Sequence, residues 1–166
     1  MATIIELTAD VSVAPQLGEV DFAEIARRGF RSIINNRPDD ETGVTVLSGH
    51  AAELAAKAGL AYRAIPCPPA EVTEAALVDA VAEALDELPA PVLLYCRSGT
   101  RSTLLWAQSQ AGRVDTDTLI ETAARGGYDI AVIRDELDER AAAERRKAPR
   151  VPQGAFPTAI AASPER

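Results

Sequence analysis

The chain has 166 residues, 47% of them hydrophobic, and a formal net charge of −8 at pH 7. This length and composition are sufficient for one domain with one core, while the negative charge argues against nucleic acids and anionic membranes as partners. Two cysteines are too few for a disulfide-built secreted scaffold, and neither a signal peptide nor a membrane-spanning run is predicted, so we expect a cytoplasmic protein.

Strands and helices alternate along the predicted order of elements. In chain order the pattern predicts strand 11–14, helix 21–28, strand 31–35, a polar loop 36–41, helix 45–58, strand 60–65, a helix from 73, strand 91–95, and helices at about 102–110, 115–125 and 135–147. This order favours a mainly parallel central sheet with helices on both faces. Ligands of such sheets bind at the carboxyl ends of the strands.

The chain changes character near its end. We assign residues 1–147 to the domain and residues 148–166 to a Pro- and Ala-rich tail. The tail has too few large apolar residues to pack alone.

The stretch from 91 to 102 carries the strongest chemical signal. An apolar strand ends at Cys96, a short loop with Arg97, Gly99 and Arg101 follows, and an apolar helical pattern comes next. A loop curled over a helix N-terminus forms an anion-binding nest, and such a place favours a nucleophilic thiolate. The alternative, a small core cysteine, would leave both arginines without a counter-charge.

The loop resembles two known signatures. Cys96-Arg97-Ser98-Gly99-Thr100-Arg101 is similar to the rhodanese-type loop C-R-x-G-x-[RT] and, with one residue fewer, to the Cys…Arg signature of cysteine-dependent phosphatases. With Asn36-Arg37-Pro38-Asp39, Leu105-Trp106-Ala107 and Gly127-Tyr128-Asp129, it resembles the beta-lactamase-hydrolase-like sulfurtransferase domain. This resemblance, over roughly residues 3–133, implies a dual-specificity-phosphatase-like fold with a rhodanese-like loop.

The resemblance implies a sulfurtransferase of sulfide and persulfide metabolism that needs no cofactor. Cys96 would take a sulfane sulfur from thiosulfate or a glutathione persulfide, and a thiol or cyanide would then remove it from the Cys96 persulfide. A persulfide dioxygenase or another sulfur-oxidation protein is a further candidate partner.

Other residues receive roles around the sulfur. Arg101 would fork onto an oxyanion, and Ser102 would either donate to the Cys96 sulfur or cap the following helix. Asn36, Arg37 and Asp39 would line the rim, unless Arg37 and Asp39 only pair with each other. The predicted anion-binding set is Arg97, Ser98, Gly99, Thr100, Asn36, Arg37 and Asp39.

A cysteine-dependent phosphatase is the main alternative. It needs a carboxylic acid to protonate the leaving oxygen, and the segment 65–72, where such an acid is expected, holds only Glu71. Glu71 could instead begin the next helix, and Asp39 or Asp40 could substitute for it. The shorter loop also offers fewer N–H groups to a phosphate, so we expect sulfur transfer rather than phosphatase activity.

The second alternative is a redox or binding module without turnover. Cys67 ends one predicted strand and Cys96 another, so Cys67 would be a resolving thiol if these strands are neighbours. Otherwise it is a small apolar filler. A multi-histidine metal site is excluded because His50 is the only histidine.

Overall fold

A computed structural model of the chain describes residues 1–148. Within these residues five strands form one sheet: β1 Ile5–Glu6, β2 Val11–Ala14, β3 Ser32–Asn35, β4 Ala61–Ala64 and β5 Val92–Tyr95. The same part of the chain forms six α-helices: α1 Asp21–Arg27, α2 Ser48–Ala58, α3 Ala75–Glu87, α4 Thr100–Gln110, α5 Thr116–Arg125 and α6 Arg134–Lys147. The predicted tail lies outside the described residues, except for Ala148.

The strand order is β1-β2-β5-β3-β4, and only β1 runs antiparallel to its neighbour. The predicted mainly parallel α/β sheet is therefore confirmed. β5 lies at the centre, so the residue that follows it emerges between the ends of β2 and β3.

Alternating side chains of β5 face the two sides of the sheet. Leu94 packs into a core with α3, α4, α5 and α6, while Leu93 and Tyr95 pack into a second core with α1 and α2. All three side chains are fully buried. Helices on both faces thus hold the central strand, and with it the start of the loop at Cys96, in one position.

The structure differs from the sequence prediction at four points. β1 was not predicted, because two residues give no periodic signal. The predicted helix 45–58 begins only at Ser48, and the helix expected from residue 73 begins at Ala75. β3 lies between β4 and β5, so the strands that precede Cys67 and Cys96 are not neighbours.

Within residues 1–148, no helix has both the length and the apolar character that crossing a membrane requires. The same part of the chain contains no cluster of three His, Cys, Asp or Glu side chains that could hold a metal ion.

Candidate active site

Cys96 lies directly after β5, at the carboxyl end of the sheet, and its side chain is fully buried. The chain turns at Gly99, which has φ +90°, and α4 begins at Thr100. The backbone N–H of Gly99 donates to the Cys96 sulfur at 3.1 Å. The strand, tight loop and helix N-terminus predicted around the cysteine are therefore present.

Neighbouring strand ends hold the loop in place. The carbonyl of Tyr95 accepts from the N–H of Asn36 at 2.8 Å, and the carbonyl of Arg97 accepts from the N–H of Gln16 at 3.2 Å. The first turn of α4 also presents N–H groups that have no acceptor within a helix. The cysteine thus lies at the positive end of a helix dipole, inside a loop fixed on both sides.

Arg101 reaches from α4 towards the loop that follows β3. Its Nη1 donates to Glu41 Oε2 at 2.5 Å and to the Cys67 carbonyl at 2.7 Å, and its Nη2 donates to Glu41 Oε1 at 2.9 Å. A guanidinium has five N–H groups, and these bonds use three of them. The other two, on Nε and Nη2, make no hydrogen bond with residues 1–148; they share one edge and form a fork that suits an oxyanion.

Glu41 is a site residue that the sequence reasoning missed. Its carboxylate contacts Arg101 and also accepts from Arg37 Nε at 3.1 Å. The hydrogen bond from Arg101 lowers the pKa of Glu41, with a further contribution from Arg37, so this carboxylate is ionised at neutral pH. The i, i+4 spacing of Arg37 and Glu41 was the available signal, although Asp39 lay closer to the arginine in the sequence.

Arg37 is buried, with 4% of its side chain exposed. Besides Glu41, it donates to Gln16 Oε1 at 2.8 Å and to the Thr42 carbonyl at 2.8 Å. The predicted Arg37–Asp39 pair is absent from the described residues, because Asp39 instead accepts from the backbone and hydroxyl of Ser48 at the start of α2. Arg37 therefore orders the loop rather than presenting a free cation at the rim.

A buried hydrogen bond joins Asn36, directly after β3, to Ser102 in α4. The Ser102 hydroxyl donates to Asn36 Oδ1 at 2.9 Å, and Asn36 Nδ2 donates to the Ile65 carbonyl at 3.1 Å. Ser102 lies in the first turn of α4, whose N-cap is Gly99, so the predicted helix cap at Ser102 is wrong. Its predicted bond to the Cys96 sulfur is replaced by the bond to Asn36.

The exposed part of the loop carries the remaining predicted anion-binding residues. Ser98 and Thr100 are exposed, and their hydroxyls hydrogen-bond to each other at 2.9 Å. Arg97 is also exposed, and its side chain makes no hydrogen bond or ion pair with residues 1–148. Arg97 is therefore available to attract an anion to the mouth of the loop.

Cys67 is buried and free, as is Cys96. Its thiol donates to the Pro68 carbonyl at 3.4 Å, and burial raises the pKa of Cys67 to about 11. A resolving thiol needs an appreciable thiolate fraction, which this environment opposes. Its carbonyl, which anchors Arg101, is the part of Cys67 that contributes to the site; the resolving role stays a prediction.

Tyr128, on the loop after α5, closes one side of the site. Its hydroxyl donates to the Ser98 carbonyl at 3.1 Å, and a Cβ at Gly99 would collide with that hydroxyl and lie 3.0 Å from the ring carbon Cζ. Tyr128 was part of the resemblance but received no role from the sequence.

Asp40, one of the predicted substitute acids, is exposed on the loop after β3 and makes no hydrogen bond with residues 1–148. The other remaining acid is Glu71. It ends a short 3-10 helix, Pro69–Glu71, on the loop between β4 and α3, and therefore does not begin α3. The side chain is exposed and makes no hydrogen bond with residues 1–148.

Comparison with known proteins identifies the family of the chain. The family model of the phosphatase-like domain of beta-lactamase hydrolase-like protein matches residues 4–113, well over half of the chain. A beta-lactamase hydrolase-like protein of Xylella fastidiosa is 36% identical over 131 residues, which cover 76% of this chain and 30% of that protein. The chain thus spans less than a third of the length of the curated relatives that it matches.

Solved structures agree with the fold. A candidate phosphatase from Neisseria meningitidis has a TM-score of 0.73 at 29% identity, covering 82% of this chain and 97% of its own. The kinase associated phosphatase, solved with its catalytic-site cysteine replaced by serine, has a TM-score of 0.64 at 16% identity, covering 86% and 96%. At that identity the second likeness shows only a shared dual-specificity-phosphatase-like fold.

Proposed function

The chain belongs to the phosphatase-like domain family of the beta-lactamase hydrolase-like proteins, and from that premise we propose that Cys96 is the nucleophile of a two-step covalent reaction. Phosphate ester hydrolysis is the first candidate, since the family and the solved neighbours are phosphatase-like. The observation that carries the proposal is the buried Cys96 sulfur beside the Gly99 N–H, together with Arg101 in the first turn of α4, whose Nε and Nη2 fork makes no hydrogen bond within residues 1–148.

In the first step the Cys96 thiolate attacks phosphorus, an S–P bond forms, and the P–O bond to the leaving group breaks. The leaving oxygen takes a proton from an acid, for which Glu71 is the candidate. Water then breaks the S–P bond, phosphate leaves, and the thiolate is restored. Glu41 does not serve as the acid, because its bonds to Arg101 and Arg37 lower its pKa and keep it ionised.

Hydrolysis of aryl and alkyl phosphates tests this candidate. Cys96→Ser should abolish turnover of both. Glu71→Gln should lower alkyl phosphate hydrolysis by about 10²-fold or more and affect an activated aryl phosphate far less, because a good leaving group needs little protonation. Glu74→Gln, an exposed glutamate on the same connection, is the matched control. Equal losses for the two substrates in Glu71→Gln would exclude it as the acid.

Sulfane sulfur transfer is the second candidate. Two observations favour it: only four residues separate Cys96 from Arg101, and the carboxylate nearest Arg101 is ionised. The Cys96 thiolate would attack the outer sulfur of thiosulfate or a glutathione persulfide, forming an S–S bond and expelling sulfite or a thiolate. An acceptor thiolate or cyanide would then take that sulfur. Neither sulfite nor a thiolate needs a proton from an acid in order to leave.

Mass spectrometry separates the two candidates. Incubation with thiosulfate or glutathione persulfide should add one sulfur to Cys96 if the second candidate holds, while turnover of phosphate esters with no persulfide would leave only the first. A one-residue insertion between Gly99 and Arg101 should lower sulfur transfer and raise aryl phosphate turnover, because it enlarges the loop. The small-molecule sulfur donor and acceptor and the persulfide dioxygenase partner stay predictions of the second candidate. A cytoplasmic location stays a prediction under either candidate.

A further inference from the structure

Two hydrogen bonds in the active-site loop belong to one peptide group. The peptide between Ser98 and Gly99 donates its N–H to the Cys96 sulfur at 3.1 Å and accepts at its carbonyl from the Tyr128 hydroxyl at 3.1 Å. In a trans peptide the N–H and C=O point in opposite directions. A donor that holds the carbonyl on one side therefore directs the N–H to the sulfur on the other.

We propose that Tyr128 is a positioning residue, which stabilises the Cys96 thiolate by fixing the orientation of the Ser98–Gly99 peptide. This inference rests on the proposed nucleophilic role of Cys96, but it does not depend on whether the substrate is a phosphate ester or a sulfur donor. Tyr128 makes no hydrogen bond with the sulfur itself; it acts through the peptide.

The peptide needs such support because it can rotate at Gly99. The present φ of +90° is favourable for glycine, and glycine tolerates φ of either sign. Rotation of the peptide by half a turn would point the Ser98 carbonyl at the Cys96 sulfur. A carbonyl oxygen repels a thiolate, whereas an N–H stabilises it, so the two orientations have opposite effects on the nucleophile.

Tyr128 is held rigidly enough to select one orientation. Its backbone N–H donates to the Ala123 carbonyl at the end of α5 at 2.9 Å, and its half-buried ring packs on the main core. Burial, with a smaller contribution from Cys96, raises the pKa of Tyr128, so its hydroxyl stays protonated and able to donate. The ring also fills the space beside Gly99, which limits movement of the loop.

The test is the pH dependence of Cys96 alkylation by iodoacetamide in the full chain, comparing the wild type with Tyr128→Phe. Phenylalanine keeps the ring and its packing and removes only the hydroxyl. Trypsin leaves both cysteines on one peptide, 64–97, so fragment masses must assign the label to Cys96 or Cys67. Dividing each rate by its high-pH plateau removes differences in access to the buried sulfur.

We expect the half-maximal pH to rise in Tyr128→Phe and the normalised rate below that midpoint to fall about fivefold, the factor for one hydrogen bond of about 1 kcal/mol. Tyr62→Phe is the matched control, since the Tyr62 hydroxyl accepts from Asn35 and makes no hydrogen bond with the loop within the described chain. A Tyr128→Phe profile that superimposes on the wild type, with or without a lower melting temperature, would overturn the proposal.

The same experiment distinguishes failure of the proposed function from failure of the proposed role of Tyr128. If the normalised alkylation rate of wild-type Cys96 at neutral pH is no higher than that of Cys67, the cysteine is not an activated nucleophile and the covalent reaction is refuted. If Cys96 is selectively alkylated but Tyr128→Phe changes nothing, only the role of Tyr128 is refuted.

Discussion

Replacement of Glu41 by glutamine tests how the arginine cluster, formed by Arg37 and Arg101 around Glu41, is held together. In the folded protein only 4% of Arg37, 11% of Arg101 and 19% of Glu41 side-chain surface is exposed. Breaking a buried ion pair costs about 3–5 kcal/mol, because the remaining charge is left without a partner. Glutamine keeps one oxygen acceptor, so we expect Glu41→Gln to lower the free energy of unfolding by about 2–3 kcal/mol.

Thermal and urea unfolding measure this change. A loss of about 2–3 kcal/mol corresponds to a melting temperature lower by about 5–10 °C for a chain of this size. Glu87→Gln is the matched control: it breaks the pair with Arg63, in which both side chains are at least a third exposed, and should cost less than about 1 kcal/mol. A loss in Glu41→Gln no larger than in Glu87→Gln would refute the reasoning.

The effect has a defined pH dependence. The pKa of Glu41 is lower in the folded state than its ordinary value, chiefly because Arg101 hydrogen-bonds the ionised form. A lowered pKa contributes stability that is complete above the unfolded value of about 4.3 and is lost as the pH falls through the folded value. The difference between wild type and Glu41→Gln should therefore be largest near pH 7 and shrink towards pH 3. A difference that stays constant over this range would contradict the assigned ion pair.

Three further substitutions probe the loop and its supports. Gly99→Ala should destabilise the protein by at least about 1 kcal/mol and slow Cys96 alkylation, because the φ of +90° and the contact with Tyr128 both exclude a side chain. An unchanged melting temperature would contradict this expectation. Ser102→Ala should lower the free energy of unfolding by about 1–2 kcal/mol, because it leaves the buried Asn36 oxygen unsatisfied, and should change turnover only a few-fold. A loss of turnover without a loss of stability would instead support the predicted catalytic role of Ser102. Asp39→Ala should lower stability by about 0.5–2 kcal/mol in urea unfolding, since it removes the acceptor for the first turn of α2; an unchanged midpoint would exclude that role.

The sequence predicted those features that depend on short stretches of chain. A buried strand, a glycine at the turn and an apolar helix pattern lie within about fifteen residues, so the position of Cys96 at a strand end followed directly. The fold class followed from the alternation of elements. From the shorter loop and the missing acid, the sequence predicted sulfur transfer over phosphate chemistry, whereas the comparisons favour the phosphatase-like alternative.

The hydrogen-bond partners of the site residues could not be predicted from the sequence, because they depend on how the folded chain brings distant residues together. Arg37 pairs with Glu41 and not with Asp39, because the turn from Pro38 to Glu41 brings the Glu41 carboxylate back towards Arg37. The Asp39 carboxylate instead binds the first residue of α2. Tyr128 reaches Ser98 across thirty residues, a distance at which a sequence pattern carries no signal. The order of the strands was equally hidden, since nothing local places β3 between β4 and β5.

The position of β4 at the edge of the sheet has a consequence for how molecules of this protein meet one another. An edge strand offers unpaired backbone groups to the edge of another sheet, which is a route to aggregation. β4 is only four residues long, carries Arg63 in an ion pair with Glu87, and is followed closely by Pro66, Pro68 and Pro69. A short length, a charge and prolines without N–H donors all oppose pairing with a second chain, so the edge beside the arginine cluster is protected from intermolecular sheet growth.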